Sequence, residues 1–169
     1  MHILDDAQNP INTVEEILAA QGWDFERVSD DEVLLQISGE HGNYDMQFTW
    51  QESVSALQVS IKMDIEYSKY QYSDAASVIG AINSKMWLGH FELSQDQLCP
   101  TFRYACFMRG MTSFNGADYL ADLMEVALVS CEKHYAQLYA VLQKEDEDAR
   151  HIFGEENYNL AYLATAGNA

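Results

Sequence analysis

Two short stretches of this chain alternate apolar and polar residues without a break. In the first, Tyr44, Met46, Phe48 and Trp50 fall on one side and Asp45, Gln47 and Thr49 on the other. In the second, Leu57, Val59, Ile61 and Met63 oppose Gln58, Ser60 and Lys62. A period of two belongs to a β-strand with one buried and one wet face; a helix cannot sort such a pattern. Any fold for this chain must therefore give these strands a core on one side and solvent on the other.

The flanking sequence supplies the rest of the sheet. Phe25 and Val28 mark a strand over about 24–29, and a second strand runs over 32–38. The turns Ser29-Asp30-Asp31 and Gly39-Glu40-His41-Gly42 are short and polar, so neighbouring strands are antiparallel. Further strands are expected over 90–94 and 101–108, with Phe102, Tyr104, Cys106 and Met108 on one face of the latter. Arg103 then points away from that face.

Three helices complete the pattern. Thr13-Val14-Glu15-Glu16 has the form of a capping box opening helix one, and Gly22 is placed to end it. Ser73 or Asp74 is expected to cap helix two, whose stripe runs through Ala75, Val78, Ile79, Ile82 and Met86 before Gly89. After a loop over 110–116, helix three is expected from about Ala117 to Lys144, with Leu120, Leu123, Met124, Ala127, Cys131, Leu138 and Leu142 inward. The fold class is α+β: an antiparallel sheet with helices packed on one face, in the order α-β-β-β-β-α-β-β-α. The 169 residues read as one domain, 1–169. Its core spans about 9–144, and 145–169 reads as an acidic linker with a short C-terminal helix or arm.

Charge narrows the partners. The chain carries 27 Asp and Glu against nine Lys and Arg, a net charge of −18. Such a polyanion repels phosphate backbones and anionic membranes, so no nucleic-acid and no membrane partner is expected. A basic protein partner fits better. No segment approaches the roughly 18 apolar residues of a membrane span, and Met1–Asp6 lacks the basic start and apolar run of a signal peptide. Three cysteines with no Cys-x-x-Cys pair fit a reducing cytoplasm.

Familiar catalytic and cofactor motifs are missing, including glycine-rich dinucleotide and phosphate loops, the Gly-x-Ser-x-Gly elbow and His-Glu-x-x-His. No cofactor and no metal site is expected. Cys131 and His134 share a helix face, but zinc needs a third ligand and Cys131 lies in the apolar stripe. Cys106 with His90 is a nucleophile–base pair only if the two side chains meet.

Two stretches carry more. In Asn83-Ser84-Lys85-Met86-Trp87-Leu88-Gly89-His90-Phe91, a helix gives way to a strand. Trp87 either wedges the helix onto the sheet or presents an aromatic anchor, and His90 either satisfies a backbone group or joins that corner. In Phe102-Arg103-Tyr104 with Met108-Arg109-Gly110, two of the few cations stand close in sequence. They either pair with local acids or form a fork for a partner's carboxylate.

At these motifs the chain resembles the YbjN family, a group of bacterial proteins labelled as sensory transduction regulators. The likeness rests on Asn9-Pro10, Val14-Glu15-Glu16-Ile17, Gly22-Trp23-Asp24-Phe25-Glu26-Arg27, Ser29-Asp30-Asp31-Glu32, Trp87-Leu88-Gly89-His90-Phe91, Phe102-Arg103 and Arg109-Gly110. It covers about 9–142 and implies a fold similar to type III secretion chaperones, which are small acidic cytosolic proteins that commonly dimerise. It carries no catalytic residues.

The function expected is therefore a non-enzymatic, cytoplasmic protein-binding module, chaperone-like or regulatory. It would recognise a partner segment by strand addition or groove docking and form a homodimer. Trp50, Trp87, His90, Arg103 and Arg109 are the candidate contacts. A small-ligand sensor, with a pocket lined by Tyr67, Tyr70, Tyr72 and Trp87, is the alternative. An enzyme with an unrecognised site ranks below both.

Overall fold

The alternating stretches become β3 (Asn43–Gln51) and β4 (Ala56–Met63), paired antiparallel from Tyr44↔Met63 to Gln51↔Ala56 in a computed structural model. The structure describes residues 9–109 and 113–166, with side chains for 9–109 and 116–143. On one side of β3 and β4, Tyr44, Met46, Phe48, Trp50, Leu57, Val59, Ile61 and Met63 are all buried. Removing such side chains from water supplies about 1.5–3 kcal/mol each, which makes this face the core.

The other strands extend that sheet: β1 (Phe25–Ser29), β2 (Glu32–Ser38), β5 (His90–Leu93) and β6 (Pro100–Phe107). The order is β1-β2-β3-β4-β6-β5, with every neighbouring pair antiparallel. Thus β6 returns to lie against β4 and pushes β5 to the border. The helices are α1 (Ile11–Ala20), α2 (Tyr72–Asn83) and α3 (Ser113–Ala166). Buried residues of all three, among them Val14, Ile79 and Met124, join the core above the inner sheet face. Fold class and element order agree with the sequence reading.

Helix ends depart from it. α1 starts at Ile11, ahead of the proposed Thr13 capping box. Pro10 already has helical dihedrals (φ −80°, ψ −1°), and Asn9 Oδ1 accepts the Ile11 N–H at 3.0 Å. Proline suits the first helical position because its missing N–H is one the helix leaves unpaired. Gly22 does end the helix, at φ +72°, with Gly22 N–H donating to Ala19 O and Trp23 N–H to Leu18 O. This is a Schellman closure, and glycine adopts its left-handed backbone without strain.

In α2 no side chain of Ser73 or Asp74 caps the start. Gln71 precedes the helix, buried, and its Nε2 donates to Val141 O and Leu142 O at 3.4 Å. The helix stops at Asn83 rather than continuing through Met86. α3 continues past Lys144 through the acidic run to Ala166. Between Lys144 and Ala166 the sequence has no proline and a single glycine, Gly154, so nothing obliges the helix to stop. Part of the loop expected over 110–116, residues 110–112, lies outside the described residues.

Candidate partner-binding surface

Among the described residues, the helices cover one sheet face and leave the other bare. Register fixes what the bare face presents, since directly paired residues point the same way. One row runs across every strand: Glu26, Leu34, Gln47, Ser60, Arg103 and His90. The next holds Gln36, Asp45, Lys62, Thr101 and Glu92. Apart from His90 and Glu92, these rows line a concavity of about 930 Å³, to which Asp24 and Gln97 also contribute. Carboxamides, hydroxyls and charges of both signs make this face a hydrogen-bonding floor.

Gln36 Nε2 donates to Asp45 Oδ1 at 2.9 Å, and Gln47 Nε2 to Glu32 Oε1 at 2.5 Å. Arg103 Nε lies 2.7 Å from Glu92 Oε1, an ion pair without the alignment of a hydrogen bond. Lys62 is exposed and makes no ion pair among the described residues.

The sequence candidates fall in different places. Trp50 is 4% exposed, in the core between sheet and helices, so its ring is closed to a partner. Trp87 is 98% exposed, and Leu88 beside it 49%. Trp87 therefore does not wedge α2 onto the sheet. The wedge is unnecessary because Asn83 ties α2 to the border strand. Its Oδ1 accepts the Phe91 N–H and its Nδ2 donates to Phe91 O, both at 2.8 Å.

Gly89 follows at φ +68°, where a Cβ would strike the Phe102 ring and stand 2.9 Å from Arg103 O. The Trp87 turn is thus pinned to the sheet while its ring projects outward. His90 lies opposite Arg103 on the bare face. Arg109 sits near the other end of β6, its guanidinium 5.7 Å from the centre of the Phe107 ring and its Nη2 donating to Val54 O at 3.3 Å. Trp87, His90 and Arg103 therefore share one corner, and Arg109 lies about 20 Å along the strand.

Other combinations do not assemble. Cys106 pairs with Leu57 on the inner face, whereas His90 is on the outer one, so no nucleophile–base pair forms. Tyr67 is buried, its hydroxyl donating to Leu138 O at 2.9 Å, while Tyr70 is 90% exposed. With Trp87 also in solvent, the proposed aromatic pocket is not built. Cys131 is fully buried and burial raises its thiol pKa, the character of a core residue. Among the described residues no group of three His, Cys, Asp or Glu could hold a metal.

Sequence reasoning missed Lys62, Ser60 and Thr101 as members of one surface. Lys62 and Arg103 each carried the signal, standing opposite apolar neighbours in an alternating strand. The pairing of β4 with β6 was not readable, because α2 and β5 intervene.

One strand border is occupied and the other is irregular at one end. Asn83 occupies the backbone of β5 at Phe91, and β1 is interrupted by a register shift between Arg27 and Ser29. Arg27 folds over that end, donating to Ser29 O and Asp30 O at 3.0 Å and to Glu15 at 2.8 Å.

Taken together, fold and surface define an α+β protein with a six-stranded antiparallel sheet, helices on one side and a bare polar face on the other. Residues 10–143 match the family described as "Putative bacterial sensory transduction regulator", and the chain belongs to this YbjN family. It is similar to the crystal structure of "YbjN, a putative transcription regulator from E. coli" at 17% identity and a TM-score of 0.51, over 75% of this chain and 93% of that one. It is also similar to a chain of the ExsC–ExsE complex at 9% identity and a TM-score of 0.48, over 81% and 96%. Both likenesses concern fold. No curated protein matches the sequence. Among the described residues no helix is long and apolar enough to cross a membrane.

Proposed function

We propose that this chain is a non-enzymatic protein-binding module, chaperone-like or regulatory, working in the cytoplasm. The observation that carries the reading is the bare, concave sheet face with its polar floor, on which Lys62 and the terminal nitrogens of Arg103 have no hydrogen-bond partner among the described residues. A folded chain normally spends such groups on its own structure or on water; grouped in a concavity they suit a guest backbone. Membership of a family of regulators supports the same reading. Face docking is favoured over strand addition at β5, where Asn83 occupies the border, and the register shift in β1 makes that border a poor template.

The contacts assigned are Trp87 as anchor with His90 and Arg103 at one corner, and Arg109 at the far end. Trp50 is not among them. The excess acid selects basic partners and speeds their encounter. The homodimer expected from the long helix is retained as part of the proposal. Val126 and Val129, one turn apart on α3, are 38% and 56% exposed and offer it an apolar contact. Light scattering at twice the 19.2 kDa chain mass is the expected result, and a single-chain mass removes the dimer.

The test is affinity capture from the host's soluble lysate with the tagged full chain and with Trp87→Ala and Arg103→Glu. One protein recovered near one-to-one by the wild type and lost by both variants, at unchanged melting temperature, is expected. A lysate that yields no stoichiometric partner, or one kept by both variants, overturns the assignment.

A further inference from the structure

On the bare face Asp45 stands opposite Lys62 and Glu92 beside Arg103, yet the two cations adjoin and two further acids lie at the far side. Asp24 and Glu26 stand at the β1 end of the groove, and Lys62 and Arg103 stand on β4 and β6. Lys62 pairs with Thr101 and Arg103 with Ser60, so the two cations are diagonal neighbours on one face, about 7–8 Å apart. The hydroxyls of Ser60 and Thr101 fill the other diagonal, each residue only 9% exposed. Two of the nine cations of a chain with net charge −18 thus adjoin at the floor of this concavity.

Both cations keep capacity to bind. Gln36 engages the nearby Asp45 carboxylate at 2.9 Å, and Lys62 itself makes no ion pair among the described residues. Glu92 holds Arg103 at Nε, and the terminal guanidinium nitrogens donate no hydrogen bond among those residues. A carboxylate accepts well from such a fork combined with the Ser60 hydroxyl, the Thr101 hydroxyl donating instead to Cys99 O at 3.4 Å. At the other end, Asp24 and Glu26 likewise have no cationic partner among the described residues.

We propose that the groove takes an extended protein segment running across the strands, with a basic side chain over Asp24 and Glu26 and an acidic side chain over Lys62 and Arg103. This rests on the reading of the bare face as the binding surface and names what that surface selects. From β1 to β6 are four strand spacings, about 19 Å, which an extended chain covers in about six residues. The guest's opposite charges are therefore about six positions apart, an even separation that turns both side chains to the floor. Gln47 and Ser60 lie between, facing its backbone.

The experiment titrates the isotopically labelled full chain by NMR with three capped heptapeptides of Ser and Thr. One has Lys first and Glu last, one has Lys at both ends, and one has Glu at both ends. The mixed peptide is expected to shift the amides of Gln47, Ser60 and Arg103 and to bind at least tenfold tighter than either of the others. The double variant Lys62→Glu/Arg103→Glu should reverse the order in favour of the Lys–Lys peptide. Glu26→Lys, at the opposite end, should favour the Glu–Glu peptide and serves if the double variant does not fold. Equal binding of all three peptides, or shifts confined to the helix side, overturns the proposal. Inorganic phosphate that saturates the same amides as tightly as the mixed peptide also overturns it, in favour of a small-anion site. If lysate capture succeeds while the peptides fail to discriminate, the binding function stands and only this charge assignment falls.

Discussion

Glu132 on α3 holds the backbone of His41 as well as its ring. Its Oε1 accepts the Glu40 N–H at 2.8 Å; its Oε2 accepts the His41 N–H at 3.1 Å and lies 2.5 Å from His41 Nδ1. The turn between β2 and β3 is therefore clasped to the long helix by one carboxylate. Tyr135 supports the clasp, its ring 6.3 Å from that of His41 and its hydroxyl donating to Asp64 at 2.9 Å.

The clasp predicts a pH dependence. Burial pushes the Glu132 carboxyl upward, but the bonds from His41 and from the Glu40 and His41 amides, with Tyr44 beside them, outweigh it and hold its pKa below the usual value. A carboxyl whose pKa is depressed on folding stabilises the protein above its unfolded value, and loses that contribution as pH falls through the folded value. Glu132→Gln is expected to cost about 1–2 kcal/mol at pH 7, roughly 3–6 °C in melting temperature. The gap to wild type should close below about pH 4. Thermal melts of both proteins from pH 3 to 8 measure it. A gap independent of pH would show that the carboxylate charge contributes nothing.

Asn83→Ala leaves both main-chain groups of Phe91 without their partner. The expected cost is about 1–3 kcal/mol. Hydrogen exchange at the Phe91 amide should rise at least tenfold while amides in β3 and β4 change only with global stability. Uniform acceleration throughout would mean that the pairing does not act locally.

The tryptophans should separate cleanly. Trp50→Ala empties a buried site and is expected to cost about 3–5 kcal/mol. Trp87→Ala removes a ring almost wholly in solvent and should stay within about 0.5 kcal/mol of wild type. Urea unfolding gives both numbers. A large loss at Trp87 would mean that its ring packs against the protein.

Gly89→Ala combines a left-handed backbone with a steric clash on Phe102. A loss of at least about 2 kcal/mol is expected. Calorimetry reads the loss, and a neutral substitution would contradict the pinned turn.

How much of this was legible in the sequence depends on how far each signal reaches. The alternation of β3 and β4 was written in consecutive residues and survived intact, including which face is buried. It also placed Trp50 in line with Phe48, so its selection as a contact ran against its own periodicity. Helix ends read poorly because their partners are remote: Gln71 finds its carbonyl acceptors on α3 about 70 positions on. The bare face was hidden for a related reason. Lys62 and Arg103 become neighbours only because β6 returns beside β4, and no local pattern encodes that choice.

A sheet with free border strands carries a hazard in a crowded cell, since an open edge can template further strands and grow into ribbons. Here the naked side is polar, one border is occupied by the Asn83 carboxamide, and the other is bent by the Arg27 irregularity. Both devices work against a seventh strand and so against self-association through the sheet. On the proposed reading, these devices let the polar face stay exposed without drawing the sheet into self-association.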